Sequence, residues 1–245
     1  MGIDAVVTAM NDRLVALESM GDSRRIFHAT YLRTTQAVAE AVDDAAFEDP
    51  RWVVEWDIAF ANLYLDAFDS FAKDPGSAPR PWRLAFSAPA DLPPLRHVLL
   101  GINAHVNYDL PQALLQVISA SDFDNANLLA KRQRDHQRID GVLASRVSAE
   151  DSALEAASGG RALLDRVLTP LNRIGSKRFL KEAREKVWAN TMVLDAARRE
   201  GDEAYRRRLG DLEVLSAAKI DDLLRPGQVL LRLATLGFGV IIPPA

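Results

Sequence analysis

Apolar residues recur at intervals of three and four along almost every long segment of this 245-residue chain. The opening stretch is typical, because one helical face would carry Val6, Val7, Met10, Leu14 and Leu17, with Asp and Arg residues opposite. This spacing follows the turn of an α-helix, whereas the alternation of half-buried strands is nearly absent. The sequence therefore predicts an all-α fold, a single-domain multi-helix bundle over residues 1–245 with about eight to ten helices.

Cap residues and prolines indicate where the helices begin. Asp49 followed by Pro50 is typical of an N-cap and a first helical position. In the second half we expect helices over 95–120, 124–146, 149–173, 176–200 and 202–224. Residues 74–94 are rich in proline and predict one long loop, with at most a helical turn at 82–86. This loop is either a surface crossover or one wall of a site.

Composition excludes several classes of protein. The formal net charge is -4, from 30 basic and 34 acidic side chains, so a broad nucleic-acid-binding surface is not expected. Because the chain has no cysteine, a metal ion would need His, Asp and Glu ligands. The apolar stretch near the C-terminus is short and contains Arg232, so we expect no membrane span. Nothing at Met1 resembles a secretion signal, and the expected location is cytoplasmic.

The stretch 99–112, "LLGINAHVNYDLPQ", interrupts an apolar run with a group of polar residues. His105 and Asp109 lie four positions apart, which places both side chains on one face of a helix. His136 and Asp140 repeat this spacing on the next long helix. Each pair can supply two metal ligands, or it can form a hydrogen bond within its own helix. The sequence leaves both interpretations open.

Two further residues could complete a site. His28 lies beside Phe27 and Tyr31, where a histidine is usually a core or boundary residue. Asp57 lies among apolar and aromatic residues, and a carboxylate buried there needs a partner, which a cation (an arginine or a metal ion) would supply. The candidate catalytic residues are Asp57 together with Asn107 and Tyr108, which would orient a ligand or substrate.

Several stretches of the chain match a known family: "FHATYLRTT", "RPWRLAF", "RHVLLGINAHVNYDLPQAL", "DHQRID", "KVWAN" and "PGQVLLRLATLGFGV". Through them the chain resembles, over nearly its full length, a bacterial family known as domain of unknown function 5995. This resemblance implies no activity.

More distantly, "LLGINAHVNYDLPQ" is similar to the zinc-binding helix of zinc-dependent phospholipases C and single-strand-specific zinc nucleases. That likeness implies a helical hydrolase in which His105, Asp109, His136 and Asp140 bind metal, with Asp57 or His28 closing the coordination. The chain departs from these enzymes in three places. It lacks the histidine that they carry shortly after the early aspartate. Leu115 stands where they carry a further histidine, and Met1 stands where they use an N-terminal tryptophan. A three-metal cluster is therefore not expected, and at most one or two divalent ions (Zn, Mn or Fe) remain.

The leading hypothesis is a metal-dependent hydrolase that acts on phosphate esters. A metal ion would lower the pKa of its bound water and stabilise charge on a phosphoryl oxygen. The alternative is a non-catalytic protein that binds a small molecule or another protein, with the His/Asp pairs forming a structural polar network. In either case a small-molecule ligand or substrate is the expected partner. Two His/Asp pairs that face one cleft would favour the hydrolase, and pairs that are satisfied locally would favour the alternative.

Overall fold

A computed structural model provides the structure of this protein. It describes the backbone of residues 2–157 and 163–244, and the side chains of residues 2–139, 141–142, 181–233 and 235–244. No β-strand occurs in these backbone ranges, so the prediction of an all-α fold is confirmed for them. If the continuous 94–117 stretch is counted as one element, the described backbone contains ten α-helices, as predicted.

The first four helices are α1 (Ile3–Ser19), α2 (Arg25–Asp43), α3 (Pro50–Lys73) and α4 (Arg80–Phe86). At the start of α3 the Asp49 carboxylate accepts a hydrogen bond from the backbone N–H of Trp52, as the N-cap prediction requires. The proline-rich 74–94 stretch is a connection interrupted by a short 3₁₀ turn, Pro75–Ser77, and by α4. The helical turn expected at 82–86 is therefore a seven-residue helix, and its Trp82 is fully buried.

The predicted 95–120 helix is present but not uniform. It consists of α5 (Pro94–Ala104), a π-helical turn (His105–Asp109) and α6 (Leu110–Val117). Pro111 explains the wider turn, because proline has no N–H to donate to the Asn107 carbonyl and its ring crowds that carbonyl. Wider turns of this kind occur mostly as single interruptions of an α-helix.

The remaining helices are α7 (Ala120–Phe123), α8 (Ala126–Ala157), α9 (Leu163–Glu200), α10 (Asp202–Leu224) and α11 (Val229–Leu236). Two predicted helix boundaries are wrong. Helix α8 continues through 147–148, and α9 continues through 174–175. Ser148 and Gly175 at these positions each reduce helix propensity by about 1 kcal/mol or less, which is too little to end a long helix.

One cluster of buried apolar side chains extends from α1 to Ile242. Aromatic residues from α2, α3 and α4 form its densest part, including Phe27, Tyr31, Tyr64 and Trp82. The π-helical turn lies against this aromatic part, so the polar motif is surrounded by rings. No helix in the described ranges combines the length and the apolar character that crossing a membrane requires.

Candidate functional site around the π-helical turn

His105 and Asp109 bind each other inside the protein. The His105 Nδ1 and Asp109 Oδ2 atoms are 2.9 Å apart, and the two residues are only 3% and 2% exposed. The indole N–H of Trp82 donates a second hydrogen bond to the same carboxyl oxygen over 2.9 Å. Asp109, His105 and Trp82 therefore form a buried polar network that joins α4 to the π-helical turn.

Aromatic rings enclose the imidazole of His105. The ring of Phe60 stacks on it at a centroid distance of 3.5 Å. Tyr31 meets it edge-on at 4.3 Å, and Phe27 and Tyr64 lie at 6.3 and 5.9 Å. Contacts of this kind contribute about 0.5–1.5 kcal/mol each beyond the area they bury. The enclosure fixes the orientation of the ring and keeps the pair away from bulk water.

Burial sets the protonation of this pair. It raises the pKa of Asp109 well above its usual range, opposed in part by the Trp82 hydrogen bond, and it lowers the pKa of His105 well below its usual range. Both shifts favour the uncharged forms of the two groups, in which the Asp109 hydroxyl can donate to Nδ1. The imidazole hydrogen then sits on Nε2. No described group accepts a hydrogen bond from this buried Nε2 atom.

Asp57 lies close to this network on α3. It is 8% exposed, and its Oδ2 atom has no hydrogen-bond partner among the described residues. Burial raises the pKa of this carboxyl to about 7. The Asp57 charge in turn contributes to raising the pKa of the Tyr31 hydroxyl, after the larger effect of burial. The cation that the sequence analysis expected beside Asp57 is not found among the described side chains.

His28 is fully occupied by other partners. Its Nε2 atom lies 2.7 Å from the backbone carbonyl of Met10, and its Nδ1 atom lies 2.7 Å from the Tyr64 hydroxyl. A carbonyl only accepts, so Nε2 carries the hydrogen and Nδ1 accepts from the tyrosine. Burial lowers the pKa of His28 and keeps it neutral. In this arrangement His28 has no free lone pair for a metal ion.

The second predicted pair is described only in part, because the side chain of Asp140 lies outside the described residues. His136 is 1% exposed and packs between Trp56 and Trp188, each at a centroid distance of 5.5 Å. Its Nε2 atom has no described partner, and the guanidinium of Arg184 donates to its backbone carbonyl. Burial and the nearby Arg184 charge lower the pKa of His136 well below its usual range.

The described residues do not form a metal-binding group. Nowhere among them do three or more His, Asp or Glu side chains lie close enough to share one ion. The metal site predicted from the two His/Asp pairs therefore stays a prediction, and the part of it that rests on Asp140 is not described.

Asn107 and its neighbour Asn103 have a role that the sequence analysis did not foresee. Both amide groups donate to the backbone carbonyl of Phe238, over 3.1 and 3.2 Å respectively, and Asn107 Oδ1 accepts from the Val240 N–H over 3.2 Å. These bonds hold the extended segment that follows α11. Tyr108, the third candidate catalytic residue, is buried, and burial raises the pKa of its hydroxyl.

Helix α9 supports the same segment from the other side. Asn190 donates to the Val240 carbonyl over 3.0 Å and accepts from the Ile242 N–H over 2.9 Å. Glu182 accepts from the N–H groups of Phe238 and Gly239 over 3.0 and 3.1 Å. Lys186 donates to the Gly239 carbonyl. We call these five side chains the backbone clamp: Asn103, Asn107, Glu182, Lys186 and Asn190. The sequence signal that could have revealed the clamp is the four-residue spacing of these residues within each helix. Lys186 and Asn190 also begin and end the "KVWAN" stretch.

Sequence reasoning also missed Asp135, next to the predicted His136. Its buried carboxylate accepts hydrogen bonds from the backbone N–H groups of Glu48 and Asp49, both over 2.8 Å. It thereby fixes the connection between α2 and α3 to helix α8. In the stretch "RDHQRID", the aspartate before the histidine, Asp135, therefore has a structural role.

One comparison with known proteins gives a match. A family model described as "Family of unknown function (DUF5995)" matches residues 3–226. The chain belongs to this family. The matched range includes every residue of the backbone clamp and ends before the segment that the clamp holds. No curated protein and no solved structure matches the chain, so the likeness to zinc phospholipases and nucleases stays a prediction.

Proposed function

We propose that this member of the DUF5995 family is a non-catalytic interaction protein, in which the His105–Asp109 pair is a structural polar network. The observation that carries this proposal is that the polar residues of the motif bind two separate sets of partners. His105 and Asp109 bond to each other and to Trp82 in the aromatic core. Asn103 and Asn107 belong to the same 99–112 stretch, and they bind the backbone of the segment that follows α11.

The surroundings of His105 and Asp109 favour structure over chemistry. A general base needs access to the proton that it abstracts, but both residues here are at least 97% buried and the imidazole is stacked on Phe60. Burying polar groups is tolerated when they are hydrogen-bonded. The hydrogen bond from Trp82 therefore gives the buried pair a structural role, because it specifies how α4 packs on the π-helical turn.

The backbone clamp supports a binding role. Its side chains form hydrogen bonds to carbonyl and N–H groups of an extended segment. These are the bonds that a neighbouring β-strand would otherwise form. Recognition of this kind depends on the peptide backbone and on pockets for alternate side chains, as in the addition of a strand to a sheet edge. Phe238 and Ile242 are both 2% exposed, so their side chains fill such pockets.

The test combines metal analysis with stability. We would purify the protein without chelator or metal-affinity resin, and measure its metal content by elemental analysis and its thermal unfolding with and without EDTA. We expect no stoichiometric metal and no effect of EDTA. Asp109→Asn should lower the free energy of unfolding by about 1–3 kcal/mol, because it disturbs a buried hydrogen-bonded pair. Asp91→Asn, at an exposed loop position, is the matched control and should have no effect.

A metal-dependent phosphoesterase is the second candidate function. The observation that favours it is the unpartnered Nε2 of His105, with Nδ1 bonded to a carboxyl group. Metal-binding histidines are commonly oriented in this way by a carboxylate, and a bound ion would displace the Nε2 proton. Asp109 would then orient His105 and would not itself be a ligand. About one ion per chain, lost in both His105→Ala and His136→Ala while each variant stays folded, would support this candidate and refute the structural one.

A further inference from the structure

The backbone clamp and the segment it holds form a nearly complete peptide-recognition site. Along α9, Glu182, Lys186 and Asn190 are spaced by four residues and therefore lie on one helical face. Lys186 Nζ donates to the Gly239 carbonyl over 3.1 Å. Together with Asn103 and Asn107, these side chains bond to N–H or carbonyl groups of every residue from 238 to 240 and to the N–H of Ile242.

The site also selects among side chains. Phe238 and Ile242 are buried, Val240 is half-buried, and Ile241 points outward with 51% of its surface exposed. A Cβ atom on Gly239 would lie 2.7 Å from the Ala183 Cα atom and 2.8 Å from Lys186 Cδ. Since Ala183 presents backbone at this point, only glycine fits there. The site therefore reads an apolar residue, a glycine, and apolar residues at the third and fifth positions.

The element that tethers the segment is short and only partly buried, with Val229 and Leu233 in the core. Helix α11 has eight residues, fewer than an isolated helix needs to be stable. Two of its leucines, Leu231 and Leu236, are 59% and 61% exposed. Glycines with positive φ flank the helix, Gly227 at 106° and Gly237 at 72°. The chain on either side of α11 thus contains residues that adopt alternative backbone conformations easily.

We propose that residues 237–242 are a displaceable resident ligand, and that the backbone clamp binds an extended peptide from a partner protein with the pattern apolar–Gly–apolar–any–apolar. This proposal rests on the proposed interaction function and names the partner's chemistry. The resident segment competes as a tethered ligand at an effective concentration of the order of mM. A partner peptide therefore binds the intact protein weakly unless the resident segment is loosened.

The experiment uses the full chain and a fluorescein-labelled synthetic peptide with the sequence of residues 236–244, "LGFGVIIPP", in a fluorescence anisotropy titration. Gly239→Ala in the protein expels the resident segment, because the added methyl group clashes with Ala183. We expect the labelled peptide to bind this variant at least about tenfold more tightly than it binds the wild type, since more molecules have an open site. Phe238→Ala, which removes an anchor without a clash, is a second open-site variant and should behave alike.

Two controls define specificity. A peptide with alanine in place of its second glycine, the equivalent of Gly239, should not bind either open-site variant. Adding Asn190→Ala to Gly239→Ala should abolish binding of the original peptide, because two backbone hydrogen bonds are lost. Circular dichroism would verify that each variant keeps its helix content.

Equal affinity for wild type and for both folded open-site variants, or equal binding of the glycine and alanine peptides, would overturn the proposal. Neither result would bear on the metal content that tests the proposed function. Reversible dimerisation of the open-site variants without binding of the free peptide would also overturn it, in favour of segment exchange between two copies.

Discussion

Replacing Gly101 with alanine tests the packing that positions the π-helical turn. Gly101 lies in α5, one helical turn before His105. A Cβ atom at this position would lie 2.2 Å from Cγ of Phe27, which is 1.2 Å short of an ordinary contact at 3.4 Å. The Phe27 ring cannot easily retreat, because it packs against Tyr31, Tyr64 and Trp82.

Two opposing terms decide the size of the effect. Alanine is favoured over glycine in a helix interior by about 1 kcal/mol. Overpacking a rigid core costs about 1–3 kcal/mol and occasionally more, and a displacement above 1 Å at an aromatic ring belongs at the upper end of that range. We therefore expect Gly101→Ala to lower the free energy of unfolding by about 2 kcal/mol. For a chain of this size that corresponds to a melting temperature about 4–8 °C lower.

The assay is urea unfolding followed by far-UV circular dichroism. Gly210→Ala is the matched control, because Gly210 is in α10 and a Cβ atom there would meet nothing within 4 Å. It should be neutral or stabilise by up to about 1 kcal/mol. The variant Phe27→Leu should tolerate the extra methyl group at position 101 better than the wild type does, as a double-mutant cycle would measure. If Gly101→Ala were as stable as Gly210→Ala, Phe27 would not approach Gly101 as closely as the structure shows.

Three further predictions concern the polar interior. Burial raises the Asp57 pKa to about 7, above its unfolded value, so the folded state binds the extra proton. Stability from this residue is present in full below about pH 4 and is lost as the pH rises to 7, by up to about 4 kcal/mol. Asp57→Asn should flatten this part of the pH–stability curve, and an unchanged slope would contradict the assignment. Asp135→Asn removes one of two carboxylate acceptors for backbone N–H groups, and urea unfolding should show a loss of about 1.5–3 kcal/mol; a loss below about 0.5 kcal/mol would show that the connection is held by other contacts. Asn190→Ala should expose the clamped segment, so chymotrypsin should cleave after Phe238 sooner than in the wild type, as mass spectrometry of the fragments would detect. Equal cleavage rates would mean that the clamp does not hold the segment.

Much of the helical layout could be predicted from the sequence, because it depends on local properties. The Asp49 cap and Pro50 fixed the start of α3, and apolar periodicity marked the other long helices. Where local signals were weak, the predicted boundaries at 146–149 and 173–176 were wrong, since the cost of an unfavourable residue is small compared with the stability of a long helix. The π-helical turn follows from a local cause, Pro111, but the same proline is also compatible with a kink.

The chemistry of the site was less predictable, because it depends on partners distant in the chain. The sequence placed His105 and Asp109 on one helical face, and they do bond to each other. It held no information that Trp82, 27 positions away, completes their network, or that His28 is occupied by Tyr64, 36 positions away. The partner of Asn107 is 131 positions away. Hydrophobic periodicity determines which face of each helix is buried, and so the sequence by itself determined the fold class. Only the packing of these faces decided which buried polar groups meet, and thereby assigned the motif to a structural network and a backbone clamp.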